Sequence, residues 1–253
     1  MPRIVGGARE PTAGPKRGRT RIGILAAMYE ELDAVLADVD KTRTELVIGR
    51  TFHCGFLHGH EVIAVVAGIG KTAVATTTTL LIQHFGAGTI LLTGAAGRVS
   101  EDLRVGDVVV ASHLVHHDLD ASPIFPRYHV PTLGRAELET DEAVSSLAEA
   151  AAAAFIAEEA AGGATVSRGL VLSGDQFMGP VALADLRRRF PGGLAVEMEG
   201  AAVAQVCIEA EIPFAVVRSI SDDGDAGGFE RFLKSECGRY ARGIVARLLV
   251  AMR

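Results

Sequence analysis

The chain predicts an α/β fold, a single domain in which helices flank one central mixed β-sheet. Three observations carry this. Short apolar runs such as Ile22 to Ala26 and Thr89 to Leu92 have the length and composition of buried strands. They alternate along the chain with segments of helical period, the order that builds layered α/β domains. The 253 residues, 49% of them hydrophobic, can bury a large core, and no internal repeat or second domain boundary is visible.

Charge and cysteine usage narrow the function classes. The formal net charge of -6 gives no electrostatic support for a nucleic-acid partner. No apolar run reaches membrane-spanning length without a polar break. Cys54, Cys207 and Cys237 are too widely spaced for a disulfide framework or a zinc knuckle. They fit a reducing compartment, so a cytoplasmic location is expected. Residues 1–21 carry three prolines, four glycines and six basic residues against one acid. They read as a flexible basic leader, and no hydrophobic segment follows them as a secretory signal requires. The folded domain is expected over residues 22–253.

In chain order, a first strand ends at Ala26 and a helix opens at Met28-Tyr29-Glu30-Glu31. Its apolar positions Leu32, Val35, Leu36 and Val39 form one stripe. Glu31 then sits near a helix N-terminus beyond a strand end, the edge where ligands bind in open α/β sheets. Residues 44–67 read as a β-meander turning at His58-Gly59-His60. Its histidines suit hydrophilic turns, and their spacing matches no zinc site. Gly68-Ile69-Gly70-Lys71-Thr72 is neither a Walker loop, since Val65 stands where glycine is needed, nor a full dinucleotide fingerprint, since the later acid is missing. It reads as a tight strand-to-helix turn before a helix that runs to Phe85.

The strand from Thr89 runs into a predicted turn, Gly94-Ala95-Ala96-Gly97, whose small residues let a ligand approach the backbone. Val105 to Ala111 is a further strand. His116-His117-Asp118 and a proline-containing stretch to Arg135 follow, and loops this long are usually functional or disordered. An alanine-rich helix spans 141–159 and ends at Gly162-Gly163. The strand Ser167 to Ser173 leads into Gly174 to Met178. Helix 180–190 ends in Arg187-Arg188-Arg189, read as a solvated face.

Leu194 to Ala204, LAVEMEGAAVA, is the most informative stretch. A buried strand delivers Glu197 and Glu199 on either side of Met198, and a small-residue helix follows. Buried acids are costly unless they bind something polar. One carboxylate is expected to face a pocket and the other a supporting cation. Glu199 would also sit in the first turn of the helix, where the dipole favours negative charge. The last strand, Pro213 to Ile220, closes with Arg218-Ser219-Ile220-Ser221-Asp222, and Phe229 opens a C-terminal helix.

Glu31, the 94–97 turn, Phe177-Met178, Glu197 to Glu199 and Asp222 each fall beside a predicted strand end. Arg218 is a natural partner for Glu197. Phe177 offers a flat face to an aromatic ring, Glu199 suits a sugar diol, and a protonated Asp222 suits a ring nitrogen. Together these residues fit a nucleoside.

The chain resembles the nucleoside phosphorylase/nucleosidase superfamily, and most closely its methylthioadenosine/S-adenosylhomocysteine nucleosidases. The matching pieces are IGILAAMYEEL (22–32), AGIGK (67–71), TGAAG (93–97), VGDVVV (105–110), HHD (116–118), SGDQF (173–177), VEMEGAAVA (196–204) and VVRSISD (216–222). They lie in family order over residues 22–250. The resemblance implies a nucleoside phosphorylase-like sheet, no cofactor and no metal. It implies hydrolysis of the N-glycosidic bond of an adenine nucleoside by water, in a homodimer serving methionine salvage. Asp222 would be the acid at purine N7 and Glu31 the base that positions water, with Glu197 and Arg218 supporting that water as a charged pair. Glu199 would hold the ribose hydroxyls over Met198, and Phe177 and the Met178 backbone would take the base. Met28, Ala95, Ala96, Gly97, Ser221 and Phe229 would complete the substrate pocket. Ala95 stands where serine is common, Tyr29 replaces an acid, Arg98 replaces a small or apolar residue, and loop 118–135 differs. A purine nucleoside phosphorylase, a futalosine-type hydrolase and a catalytically degenerate binding protein share the fold and remain alternatives.

Overall fold

The computed structural model describes residues 21–159 and 163–253. The predicted leader lies outside these residues except for Arg21, which opens the first strand, and Gly162 of the predicted helix stop lies outside them too. Among the described residues ten strands form one mixed sheet. β1 (Arg21–Ala26), β4 (His60–Val66) and β5 (Ala87–Arg98) run parallel, with the hairpin strands β2 (Asp40–Val47) and β3 (Arg50–Leu57) antiparallel at one edge. β1 is buried on both faces, which is why it reads as continuous apolar sequence rather than an alternation.

The other half of the sheet curls back on itself. β5 pairs with β10 (Phe214–Asp222), β10 with β6 (Val108–His116), β6 with β8 (Val166–Ser173), β8 with β9 (Gly193–Glu197), and β9 returns to the far end of β5. Five strands thus close a ring around which the functional side chains collect. The short strand β7 (Leu138–Glu139) extends β6 outside it.

This closure corrects the reading of Gly94-Ala95-Ala96-Gly97 as a turn. The four residues lie inside β5, in register with Arg218, Ser219, Ile220 and Asp222 of β10. β5 runs parallel to β10 there and then engages β9 antiparallel through Gly97 and Arg98. Small residues at this switch of partners let the strand bend. The sixth strand also moves, starting at Val108 rather than Val105 and running on to His116.

Helices cover both faces. α1 (Tyr29–Asp38), α3 (Glu142–Glu159) and α7 (Gly238–Ala251) bury Leu32, Val35, Phe155, Ile244 and Leu248 on one side. α2 (Lys71–Gln83) and α5 (Gly200–Glu209) bury Val74, Leu81, Val203 and Cys207 on the other. α6 (Ala226–Phe232) passes through a single π-helical turn, Leu233–Cys237, into α7. α4 (Pro180–Arg189) starts with proline at its first position, where no backbone N–H is lost. The arginine run at its end is not simply solvated. Arg187 Nε donates to the Val99 carbonyl at 2.6 Å, and Arg189 Nη1 donates to the His117 carbonyl and to the Tyr128 hydroxyl, both at 3.1 Å. These guanidinium groups satisfy carbonyls that the irregular neighbouring segments leave unpaired. Among the described residues no helix is long and apolar enough to cross a membrane.

Candidate active site

A cavity of about 260 Å³ opens at the end of the strand ring. β1 and the start of α1 bring Met28 and Glu31 to it. β5 supplies Ala95, Ala96 and Gly97, and the segment after β8 supplies Phe177 and Met178. The β9–α5 junction supplies Glu197, Met198 and Glu199, β10 supplies Ser221 and Asp222, and α6 supplies Phe229. Of the residues expected at the site, only Arg218 does not line it. Arg218 lies immediately behind, wholly buried. Ala27, Ile69, Gln176 and Val196 also line the cavity. Ile69 and Gln176 sit inside the AGIGK and SGDQF motifs, so motif membership was the one signal that could have found them.

Glu31 is buried and held by backbone. Its Oε1 accepts from the Ala95 N–H at 2.8 Å and its Oε2 from the Met28 N–H at 2.9 Å. Burial raises its carboxyl above the ordinary glutamate value, with the Arg218 charge and these N–H groups opposing. A carboxylate raised in this way is a stronger proton acceptor near neutral pH.

Glu197 and Glu199 do not divide between pocket and cation as expected, because both reach Arg218. Glu197 forms a close ion pair with it, and Glu199 Oε2 lies 3.3 Å from Arg218 Nη2. Residues two apart at a strand end point the same way. Glu197 also accepts from the Ser173 hydroxyl and from the N–H groups of Glu199 at 3.0 Å and Gly200 at 2.8 Å. Its lone pairs are thus committed, and it braces the start of α5. Glu199 is the residue just before α5, not part of its first turn. Its second oxygen accepts the Gly70 N–H at 2.9 Å. Gly70 sits at φ +94, a left-handed conformation suited to glycine, and this is how the AGIGK turn serves the site. Burial pushes the Glu199 carboxyl up to about 7, with Arg218 opposing and Glu197 reinforcing the rise. Burial also works against the charge on Arg218, but Glu197, Glu199 and Glu31 outweigh it and hold the guanidinium above its ordinary value.

Asp222 ends β10. Its Oδ2 accepts from the Ser221 hydroxyl at 2.8 Å and its Oδ1 from the Gly224 N–H at 2.8 Å. Burial is the main cause that raises its carboxyl, and these two donors only partly offset it. Desolvation is the source a neutral, proton-donating aspartate needs. Phe177 stands edge-on to Phe229 with ring centroids 6.0 Å apart and is half exposed, so its face is open to a planar ligand.

The meander histidines do not converge. His53 lies on β3, His58 in the hairpin turn, and the His60 ring meets the Leu249 carbonyl at 2.8 Å. Among the described residues no group of three or more His, Cys, Asp or Glu side chains is placed to hold a metal ion.

The sequence and the fold both match known proteins. The sequence pattern of the Phosphorylase superfamily matches residues 21–252. A 5'-methylthioadenosine/S-adenosylhomocysteine nucleosidase of Bacillus cereus is 40% identical over 204 residues, 80% of this chain and 85% of that protein. The chain belongs to this nucleosidase family. Its fold superposes with a TM-score of 0.84 on the S-adenosylhomocysteine nucleosidase of Streptococcus pyogenes in complex with 5-methylthiotubericidin. That enzyme is 35% identical, with 93% of this chain and 98% of that chain covered. The futalosine hydrolase of Helicobacter pylori gives a TM-score of 0.81 at 34% identity, covering 90% and 97% of the two chains. The nucleosidase family and the neighbouring futalosine hydrolase thus share one scaffold.

Proposed function

We propose that this protein hydrolyses the N-glycosidic bond of adenine nucleosides of the 5'-methylthioadenosine and S-adenosylhomocysteine type. The products are adenine and the free ribose derivative, and water is the nucleophile. The observation that carries this reading is the charge of the cavity. Its lining includes Glu31, Glu197, Glu199 and Asp222 and no Lys, Arg or His, while the nearby Arg218 is committed to Glu197 and Glu199. A phosphate dianion would meet the Glu31 carboxylate with no cation in the lining to offset either charge. At an effective dielectric of ~20 and ~4 Å, each such pair of unit charges costs about 4 kcal/mol. Water carries no such cost, which argues against the phosphorylase alternative.

The residues then take consistent roles. Phe177 stacks on the base, and the Met178 backbone reads its edge. Protonated Asp222 donates to N7 and draws electrons out of the breaking bond. The developing sugar cation is stabilised by the surrounding carboxylates. Glu31 accepts a proton from the attacking water, Glu199 holds the ribose hydroxyls above Met198, and Arg218 with Glu197 fixes Glu199. All the acids are present and ordered by backbone donors, which favours an enzyme over a degenerate binding protein. The cavity acts within a homodimer in which loop 118–135 borders the partner's site, and the three free cysteines fit a cytoplasmic enzyme of methionine salvage. Residues 1–20 serve as a leader to the domain, which Arg21 opens as part of β1, and removal of 1–20 should leave turnover intact.

Adenine release should be followed in phosphate-free buffer with methylthioadenosine, S-adenosylhomocysteine, a futalosine-type substrate, adenosine and inosine. Release should be independent of added phosphate, should yield a reducing sugar and should favour adenine over hypoxanthine. Asp222→Asn and Glu31→Gln should each lose about 10²–10⁴-fold. A strict phosphate requirement with a sugar 1-phosphate product overturns this reading, and preference for the futalosine-type substrate reassigns the 5' group.

A further inference from the structure

The chemistry above leaves Arg98 unused. It is the last residue of β5, one beyond Gly97. Gly97 is in register with Asp222, and a Cβ at Gly97 would lie 3.4 Å from Asp222 Oδ1. The end of β5 is therefore the wall on which the acid rests. The Arg98 guanidinium is held from two sides. Nη1 donates to the carbonyls of Leu103 at 3.1 Å and Glu101 at 3.4 Å, and Nη2 donates to Asp223 Oδ2 at 3.0 Å. Asp223 follows the acid directly. The next residue, Gly224, donates its N–H to Asp222 and sits at φ +92 against Met178, whose carbonyl a Cβ would approach to 3.0 Å. One ion pair thus anchors a turn that touches both the acid and the base-binding segment.

We propose that Arg98 is a positioning residue for Asp222: by holding Asp223 it fixes the 222–224 turn and balances the negative charge set beside the acid. This rests on the reading of Asp222 as the proton donor. Among the described residues, the charged groups around Asp222 come from several elements. Asp223 and Asp225 lie on its own turn, Arg98 is on β5, and Arg187 of α4 acts on Asp223. Arg231 of α6 lies 3.5 Å from Asp225, and Glu31, Glu197 and Glu199 share the cavity. Burial is the largest cause of the raised Asp222 carboxyl, and Asp223 and Asp225 push it the same way. The hydrogen bond from Arg98 holds the Asp223 carboxyl below its ordinary value.

Removing Arg98 takes away a positive charge, so Asp222 keeps its proton to higher pH. Removing the Asp223 charge leaves Arg98 unpaired, so Asp222 loses its proton at lower pH. The test is the kcat/KM profile against pH for adenine release from methylthioadenosine, whose alkaline limb reports the proton on Asp222. Arg98→Ala should move that limb up by about 0.2–0.7 unit, the scale of a partly exposed ion pair. Asp223→Asn should move it down by a similar amount. Arg98→Lys should leave it in place, and the double variant should return it close to the wild-type position. Arg98→Ala should also lower the plateau several-fold as the turn loosens, which Arg98→Lys should largely rescue. Asp223 is 53% exposed, so Asp223→Asn keeps the fold even if Arg98→Ala does not. Limbs that stay fixed, or that move the same way in both single variants, overturn the proposal. If Asp222→Asn still turns over at near wild-type rate, the acid assignment falls first. An inactive Asp222→Asn with unmoved limbs removes only the role of Arg98.

Discussion

Arg218→Met should unbalance the buried centre without emptying it. The substitution keeps most of the side chain's apolar stem and removes only the cation. Arg218 is wholly buried, ion-paired with Glu197 and Glu199, and its charge is what opposes the rise of the Glu31 carboxyl. Removing one partner of a buried ionic cluster typically costs about 3–5 kcal/mol, because the other charges stay desolvated and unpaired. For a domain of this size each kcal/mol lowers the melting temperature by about 2–4 °C, so a fall of about 6–20 °C is expected. The loss should depend on pH. Burial already raises Glu31 and Glu199 above their unfolded values, and losing Arg218 raises them further. A group with a raised folded value contributes stability that is present at low pH and lost as pH rises through that value. The deficit against wild type should therefore be larger at pH 8 than at pH 6. Thermal melts followed by circular dichroism at the two pH values measure it directly. Pairing the change with Glu197→Gln should recover part of the loss at pH 8. A variant that melts within ~1 °C of wild type at pH 8, or one with equal deficits at both pH values, would refute the electrostatic account of this centre.

Three further outcomes are expected. Gly94→Ala should lower kcat/KM by about 10²-fold, since its Cβ would collide with Arg218 Nη1 and Glu31 Oε1, and a displacement of about 1 Å is enough for such a loss; steady-state kinetics with wild-type turnover would contradict it. Phe177→Ala should raise KM by about 5- to 100-fold, the loss of one base–aromatic stack, with a smaller effect on kcat; an unchanged KM would show that the base sits elsewhere. Light scattering at micromolar concentration should give the mass of a dimer, and a monomer mass would remove loop 118–135 from the neighbouring site.

The ends of β1, β8 and β9 were legible because their signals are local. An apolar run that stops at an acid, as at Glu197, marks both a strand terminus and a buried charge in adjacent letters. The helix stripe from Leu32 to Val39 is legible for the same reason. Relations between distant strands leave no such trace. The partner change of β5, from β10 to β9, made Gly94 to Gly97 part of a strand, and the local sequence reads equally well as a turn. The Ser173 hydroxyl, the Gly70 N–H and the Arg187 guanidinium act across the fold, on Glu197, Glu199 and the Val99 carbonyl, and no spacing along the chain links those pairs.

Gly94 shows what this difference means for reading a motif. From the letters, TGAAG invites the view that small residues leave room for a ligand. In the fold, the space that a side chain at position 94 would need is already filled, by Arg218 Nη1 and by Glu31 Oε1. The glycine is required because the strand must pass directly over the charged centre, and it would be required with no substrate bound. Ala95, one residue on, has the opposite character. Its side chain borders the cavity while its N–H fixes Glu31 at 2.8 Å, so a change of side chain there alters the pocket without touching the hydrogen bond. A motif of five small residues thus contains one position set by the ion cluster behind the strand and one free to vary with the ligand in front of it. That freedom lets alanine stand at 95 without disturbing the placement of Glu31.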